Sequence, residues 1–265
     1  MSQVLALITS DAALLRCELD RVRQRFALDS KAVVGVGGWQ DGQVVQRSYG
    51  VGVPLDDAWE APESEAVMVA SRVLGVGQGV DNGTQPFRFR QWLFAAAGGL
   101  EKSESIRERL REELPEFLQG AVRGPTWEEI AFAHFLAGLR EIGRIEDSQL
   151  DPDTAATKLA AAAKAIEQVS ASVGVSARPA FSLVASNGRL IVATSRGGAR
   201  LSYTLLEGRS ECERHELKEG ETAVRDHRRL RSVVVASGVE PGDGWVALPD
   251  GATLAVDRRL SVTIR

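Results

Sequence analysis

The 265-residue chain has few cysteines, no long apolar run and little excess charge of either sign. Its two cysteines, Cys17 and Cys212, are too few and too far apart for a disulfide framework. We therefore expect ordinary interior or surface thiols in a reducing compartment. No apolar stretch approaches the ~20 residues of a membrane span. The 32 basic and 36 acidic residues give a net charge of −4, which disfavours general binding to nucleic acid or anionic membranes.

The composition that remains is well mixed. With 44% hydrophobic and 26% charged residues, the chain is typical of a folded protein. No basic segment precedes the short apolar run at residues 4–8, so we expect no targeting peptide and a cytoplasmic location. No repeat, low-complexity tract or linker interrupts the sequence. These features predict one domain over residues 1–265.

The order of sequence patterns predicts strands, then helices, then strands. A strand at residues 3–8 precedes a short helix, and a hairpin turns at Asp41-Gly42. Helices are predicted at residues 103–118, where Pro115 bends or ends the helix, from Thr126, and from Asp153 to about residue 173. Strands return after residue 179, with hairpin turns at Asn187-Gly188 and Asp250-Gly251. This order indicates a layered α+β fold.

Several short strings along almost the whole chain match one family in order and spacing. Together they resemble the class II glutamine amidotransferases, which are N-terminal-nucleophile hydrolases, and in particular their small stand-alone bacterial branch. The strings are MSQVLAL at residues 1–7, GGW at 37–39, TQPF at 84–87, WLFAAAG at 92–98, GPTWEE at 124–129, the hairpin at 181–194 and VVAS at 234–237.

The resemblance implies a four-layer αββα sandwich whose first strand presents residue 2 after removal of Met1. In active relatives that residue is a cysteine, and its thiol attacks the side-chain amide of glutamine. Its own α-amine serves as the base. An asparagine side chain and a glycine N–H hold the oxyanion, and an arginine and an aspartate bind the substrate.

This sequence departs from the family pattern at all of those positions except the glycine. Ser2 replaces the nucleophilic cysteine, and Ala97 replaces the oxyanion asparagine while Gly98 is kept. The string that carries the family's substrate arginine aligns with residues 75–78 and ends in Gln78. Trp127 stands where the family has its aspartate, so we expect the indole to fill the former substrate cavity. These changes delete the charges that recognise free glutamine.

Two functions from different classes follow. In the first, the chain is a pseudoenzyme, a protein- or ligand-binding regulatory subunit with a protein partner and no cofactor. In the second, Ser2 is an active nucleophile on an amide other than free glutamine, with Gly98 and Asn82 or another donor stabilising the oxyanion.

Other signals have plain structural interpretations. The three histidines, His134, His215 and His227, lie far apart in sequence, so we expect no metal site. The basic run at residues 225–231 is interpreted as a solvated loop before a strand. Trp59, in an acidic loop, is a candidate interface residue.

Overall fold

The computed structural model describes residues 2–23, 25–26, 28–29, 31–52, 63–73, 83–212, 214–217 and 222–265. Trp59, Gln78 and Asn82 therefore lie outside the described residues, as does Met1.

Thirteen strands are present in these ranges. They are β1 (Gln3–Thr9), β2 (Val33–Gln40), β3 (Gln43–Tyr49), β4 (Ala66–Arg72), β5 (Phe87–Phe89), β6 (Trp92–Gly99), β7 (Ala180–Ser186), β8 (Ile191–Arg196), β9 (Leu201–Glu207), β10 (Arg231–Ser237), β11 (Trp245–Ala247), β12 (Thr253–Val256) and β13 (Val262–Ile264). The α-helices of the same ranges are α1 (Leu15–Arg23), α2 (Ser103–Glu112), α3 (Glu116–Gln119), α4 (Trp127–Glu141), α5 (Pro152–Ser172) and α6 (Thr222–Arg229).

The strands form two antiparallel sheets. The first sheet has the order β11-β9-β10-β1-β4-β2-β3, and the second has the order β13-β12-β8-β7-β6-β5. Strand β1 is thus central in its sheet, between β10 and β4. The register pairs Gln3 with Ser71 on one side and Leu5 with Ala236 on the other.

The alternation of side chains along the central strands defines the layers. On β1, Val4, Ala6 and Ile8 belong to the core between the two sheets. Leu5 and Leu7 face the other way and pack with α1. On β6, alternate residues (Trp92, Phe94 and Ala96) pack against the helices α2, α4 and α5. The resulting layers run helix, sheet, sheet, helices, and this confirms the expected αββα sandwich.

Local turn and cap chemistry explains why several predicted elements are in place. Asp41 and Gly42 have φ values of 51° and 75°, as the two central residues of a type I′ hairpin turn require. The Thr126 side chain accepts a hydrogen bond from the Glu129 N–H and caps α4. Asp151 accepts from the Thr154 N–H at 2.9 Å and caps α5, which begins with a proline.

The helix expected at residues 103–118 is interrupted at Pro115, as expected, so that two helices, α2 and α3, occupy this range. Another sequence-based expectation is wrong. The basic run is a helix, α6, and not a loop. Its buried residues, Val224 and His227, are three apart and form a narrow apolar stripe that the surrounding arginines conceal in the sequence.

Within the ranges given above, none of the helices combines the length and the apolar character needed to cross a bilayer.

Candidate functional site

The first strand places Ser2 at the edge of the core between the sheets. Ser2 directly precedes β1 and is half-buried. The side chains of Val4, Ala6 and Ile8 face the second sheet, and the period of two puts Ser2 on the same face. The Val4 N–H donates to the Ser237 hydroxyl at 2.8 Å, which fixes this end of β1 to β10.

The string that the resemblance aligns with the family's oxyanion segment lies on β6 and contains no asparagine. Residues 95–97 of β6 are all alanine, so their side chains can donate no hydrogen bond. Ala97 is buried and, like Val4, belongs to the core between the sheets. An oxyanion formed here would have backbone N–H groups as donors, without the side-chain amide.

Gly98 has a structural reason to be glycine. Its φ is 116°, a conformation that residues with a Cβ rarely adopt. A Cβ on Gly98 would lie 2.4 Å from the Ala180 carbonyl oxygen and 2.8 Å from the Phe181 Cα of the adjacent strand β7. The close approach of β6 and β7 therefore requires glycine at position 98 whether or not the protein catalyses a reaction.

A buried ion pair lies next to this region and was missed in the sequence. Continuing the β1–β4 register by one residue puts Ser2 opposite Arg72, the last residue of β4. The Arg72 Nη1 is 3.9 Å from the Glu128 Oε1, and the two side chains are 17% and 3% exposed. The register thus places a cationic residue, Arg72 of β4, next to Ser2. It does not come from residues 75–78, which the resemblance aligns with the family's substrate arginine.

The electrostatics of this pair follow from its burial. Desolvation raises the pKa of the Glu128 carboxyl above its ordinary value, and the positive charge of Arg72 offsets part of that rise. The buried Glu128 Oε2 and Arg72 Nη1 have no hydrogen-bond partner among the described residues. The two groups balance each other's charge without satisfying all of their hydrogen-bonding capacity.

The raised pKa of Glu128 gives a pH-dependent stability. Because the folded-state pKa lies above the unfolded-state value near 4.5, the folded protein binds this proton more tightly than the unfolded chain. The stabilisation is complete below the unfolded-state pKa and is lost as the pH rises through the folded-state pKa. We expect the free energy of unfolding of the wild type, relative to Glu128→Gln, to fall as the pH rises above about 4.5.

Urea denaturation of both proteins across this pH range measures the difference. Glu108→Gln, at an exposed position of α2, is the matched control and should show no such trend. A wild-type minus Glu128→Gln difference that is flat with pH, or that rises, would contradict the assignment.

Trp127 is the first residue of α4 and packs in the helical core. It is 6% exposed, and its indole meets the Phe181 ring edge to face with centroids 5.7 Å apart. Both rings belong to the core between the second sheet and the helices, whereas Ala97 belongs to the core between the sheets. The packing gives Trp127 a structural role, and its role as a plug of a substrate cavity stays a prediction.

Two clefts formed by described residues lie elsewhere. One, of about 580 Å³, is lined by β3, by the loop and strand at residues 84–89, and by α4. The other, of about 720 Å³, is lined by the β2–β3 turn, by residues 63–65 and by the Asn187-Gly188 turn. Ser2, Ala97, Gly98 and Trp127 line neither of them.

The same arrangement of layers is found in solved structures. A glutamine aminotransferase class-II domain protein from Silicibacter pomeroyi matches with a TM-score of 0.61 at 15% identity, over 99% of this chain and 98% of that one. A predicted glutamine amidotransferase from Pseudomonas aeruginosa matches with a TM-score of 0.58 at 16% identity, over 100% and 96% of the two chains. The glutamine phosphoribosylpyrophosphate amidotransferase of B. subtilis matches with a TM-score of 0.55 at 11% identity, and this chain spans 48% of its length.

These likenesses establish the fold. The chain has the fold of the class II glutamine amidotransferases, as the resemblance of its short strings implied. No family model and no curated protein matches the sequence. A shared fold does not carry over the activity, so the function has to be argued from the site.

Proposed function

We propose that this chain is a pseudoenzyme of the class II glutamine amidotransferase fold that acts as a protein- or ligand-binding regulatory subunit. The observation that carries the proposal is the buried ion pair of Arg72 and Glu128. A pocket for free glutamine needs a cation for the α-carboxylate and an anion for the ammonium group. Here the cation next to Ser2 in the sheet is already paired with a carboxylate of the same chain.

The reacting groups support the same conclusion. A serine hydroxyl replaces the thiol, and the alanines of β6 supply no side-chain donor to an oxyanion. Loss of one such donor costs about 10²–10³ in rate. That loss alone would slow an enzyme, but combined with a neutralised substrate cation it removes both the binding and the stabilisation of the transition state.

Ammonia release from glutamine tests the proposal. We expect the purified wild type and Ser2→Cys both to release ammonia at the rate of a protein-free blank, because restoring the thiol restores neither the oxyanion donor nor a free cation. The double variant Ser2→Cys/Ala97→Asn separates the two losses, and we expect it to remain at the blank rate while Glu128 neutralises Arg72. Multiple turnovers by the wild type that disappear in Ser2→Ala would overturn the proposal.

The binding role has its own test. Affinity capture with the full-length chain should recover one partner at a fixed stoichiometry, and the purified pair should re-form a complex of that stoichiometry on size exclusion. Failure of every captured candidate to re-form a complex would contradict the binding role while leaving the loss of glutaminase chemistry intact.

A second candidate function rests on the position of Ser2. It precedes the central strand, at the position that the resemblance gives to the nucleophile of active relatives. It is half-buried, and Arg72 lies opposite it when the register is continued by one residue. An N-terminal serine could attack an amide other than glutamine, with its α-amine as base, if Met1 is removed. The intact mass of the expressed protein decides first, since retention of Met1 excludes this mechanism. If Met1 is absent, a stable acyl adduct on Ser2 from a β-lactam would favour it.

A further inference from the structure

Two cysteines and two histidines from three segments of the chain meet at one place. Cys17 lies in α1, Cys212 and His215 lie in the segment after β9, and His227 lies in α6. One candidate ligand atom from each residue can be chosen so that all four lie within 4.8 Å of one another. The fold thus brings together four side chains that are distant in the sequence.

This Cys₂His₂ cluster (Cys17, Cys212, His215 and His227) is distinct from the region around Ser2. Cys17 packs against Leu230, which directly precedes β10, and the first residues of β10 pair with Thr9 at the end of β1. Ser2 precedes the other end of β1. At about 3.3 Å per residue, the seven-residue strand holds the two places roughly 20 Å apart.

The interatomic distances fit a tetrahedral metal ion. The His215 Nδ1 lies 3.3 Å from the Cys17 Sγ and 3.5 Å from the Cys212 Sγ. Zinc bonds of about 2.3 Å to sulfur and about 2.0–2.1 Å to nitrogen, at the tetrahedral angle, imply a sulfur–nitrogen separation of about 3.6 Å. The observed separations are within a few tenths of an ångström of that value. These three ligands therefore need little movement about the His215 nitrogen for a metal to bind, and the other separations in the cluster are at most 4.8 Å.

His227 is oriented as a metal-binding histidine. Its Nδ1 lies 2.7 Å from the carbonyl oxygen of Ala223, one turn earlier in α6. Because a carbonyl can only accept, Nδ1 carries a proton, and in the neutral imidazole Nε2 then presents a lone pair. The residue is 1% exposed, and its Nε2 has no hydrogen-bond partner among the described residues. A buried nitrogen without a partner, on a histidine that offers a ligand atom within 4.8 Å of two sulfurs and a second imidazole nitrogen, requires an explanation, and a metal ion supplies it.

Contacts around the cluster hold its segments together. Arg209 donates to the carbonyl oxygen of Cys17, and its own N–H donates to the carbonyl oxygen of His227 at 2.9 Å. Arg214 pairs with Asp20 of α1. These hydrogen bonds dock the segment after β9 between α1 and α6, which presents the ligand side chains together.

We propose that Cys17, Cys212, His215 and His227 bind one Zn²⁺ in a closed, structural site. Two sulfurs and two imidazole nitrogens in a tetrahedron are the ligand set that structural zinc prefers, and four protein ligands leave no position open for a reacting water. Binding deprotonates both thiols, so one Zn²⁺ replaces two protons and the site with its two thiolates is electrically neutral. The ion ties α1 to a segment almost 200 residues later in the chain.

Metal content and cobalt spectroscopy of the full-length, reduced protein test the proposal. Chain expressed with zinc in the medium should contain about one zinc per molecule. Replacement by Co²⁺ should give the near-ultraviolet thiolate charge-transfer band and the intense visible bands of tetrahedral cobalt. Removal of the metal by a chelator should lower the midpoint of thermal unfolding by about 10 °C, and added zinc should restore it.

Variants assign the binding to these residues. Cys212→Ser, at a partly exposed position, should reduce both the zinc content and the cobalt charge-transfer band at least tenfold. His134→Gln is the matched control, because this histidine bonds to the Leu110 carbonyl elsewhere in the fold and should leave the metal content unchanged. A folded, reduced wild type that takes up neither zinc nor cobalt would overturn the proposal. So would a Cys17–Cys212 disulfide in freshly purified protein, or full zinc content in Cys17→Ser/Cys212→Ser.

Discussion

Gly98→Ala is expected to destabilise the fold by about 3 kcal/mol or more, or to prevent folding. The added Cβ would lie 2.4 Å from the Ala180 carbonyl oxygen. The alanine would also have to adopt the φ of 116° that Gly98 has here, which residues with a Cβ rarely do. The two closest atoms that the added Cβ meets belong to the backbone of β7. The clash can therefore be removed only if β6 and β7 move apart. Such a movement would disturb the packing of their side chains on both faces of the second sheet. Urea denaturation of the variant and the wild type gives the difference.

The next residue supplies the control. Gly99 lies on the same strand with open space around its Cα, and Gly99→Ala should change the stability by less than about 1 kcal/mol. Equal stabilities of the two variants would show that the packing of β6 against β7 does not require glycine at position 98. The expected result matters for function, because a glycine that the sheet requires is no evidence of a working oxyanion site.

Trp127→Ala is expected to cost about 3–5 kcal/mol of unfolding free energy. The indole is buried in the helical core against Phe181, and truncation leaves a cavity there. Trp127→Phe should recover part of the loss, because a smaller ring still reaches Phe181. Thermal and urea unfolding measure both variants.

Phe117→Ala is the aromatic control for this prediction. Phe117 is 42% exposed and stacks under the Arg140 guanidinium, so its removal should cost about 1 kcal/mol or less. If Trp127→Ala were as mild as Phe117→Ala and at the same time bound glutamine, the indole would be a plug of a substrate cavity and not a member of the core.

Much of the fold could be predicted because its signals are local. The Asp41-Gly42 turn, the Thr126 cap and the proline after Asp151 each act over two to four residues, and each predicted feature is present. The order of strands and helices, together with the family strings, then indicated the four layers. Helix α6 was missed because its buried stripe has only two residues, Val224 and His227, within an arginine-rich run.

The candidate sites were harder to predict because they depend on distant pairings. The position of Arg72 next to Ser2 depends on the register of β4 against β1. Its ion pair depends on contact with Glu128, which is 56 residues away in sequence. The zinc ligands show one local hint, the spacing of Cys212 and His215, which is that of a C-x₂-H pair. Nothing local connects them with Cys17, which the folding of α1 brings to them.

The core between the sheets belongs to a fold that the chain shares with class II glutamine amidotransferases. The side chain of Arg72, on the strand next to β1, is paired with Glu128 of the same chain. The central claim is therefore that Ser2 is not an activated nucleophile toward glutamine.

The most direct test is intact-mass analysis after treatment with a glutamine-analogue diazoketone, a reagent that alkylates an activated nucleophile. We predict an unchanged mass for the wild type whether or not Met1 is removed. A single adduct mapped to Ser2, formed on a chain without Met1 and blocked by excess glutamine, would contradict the claim.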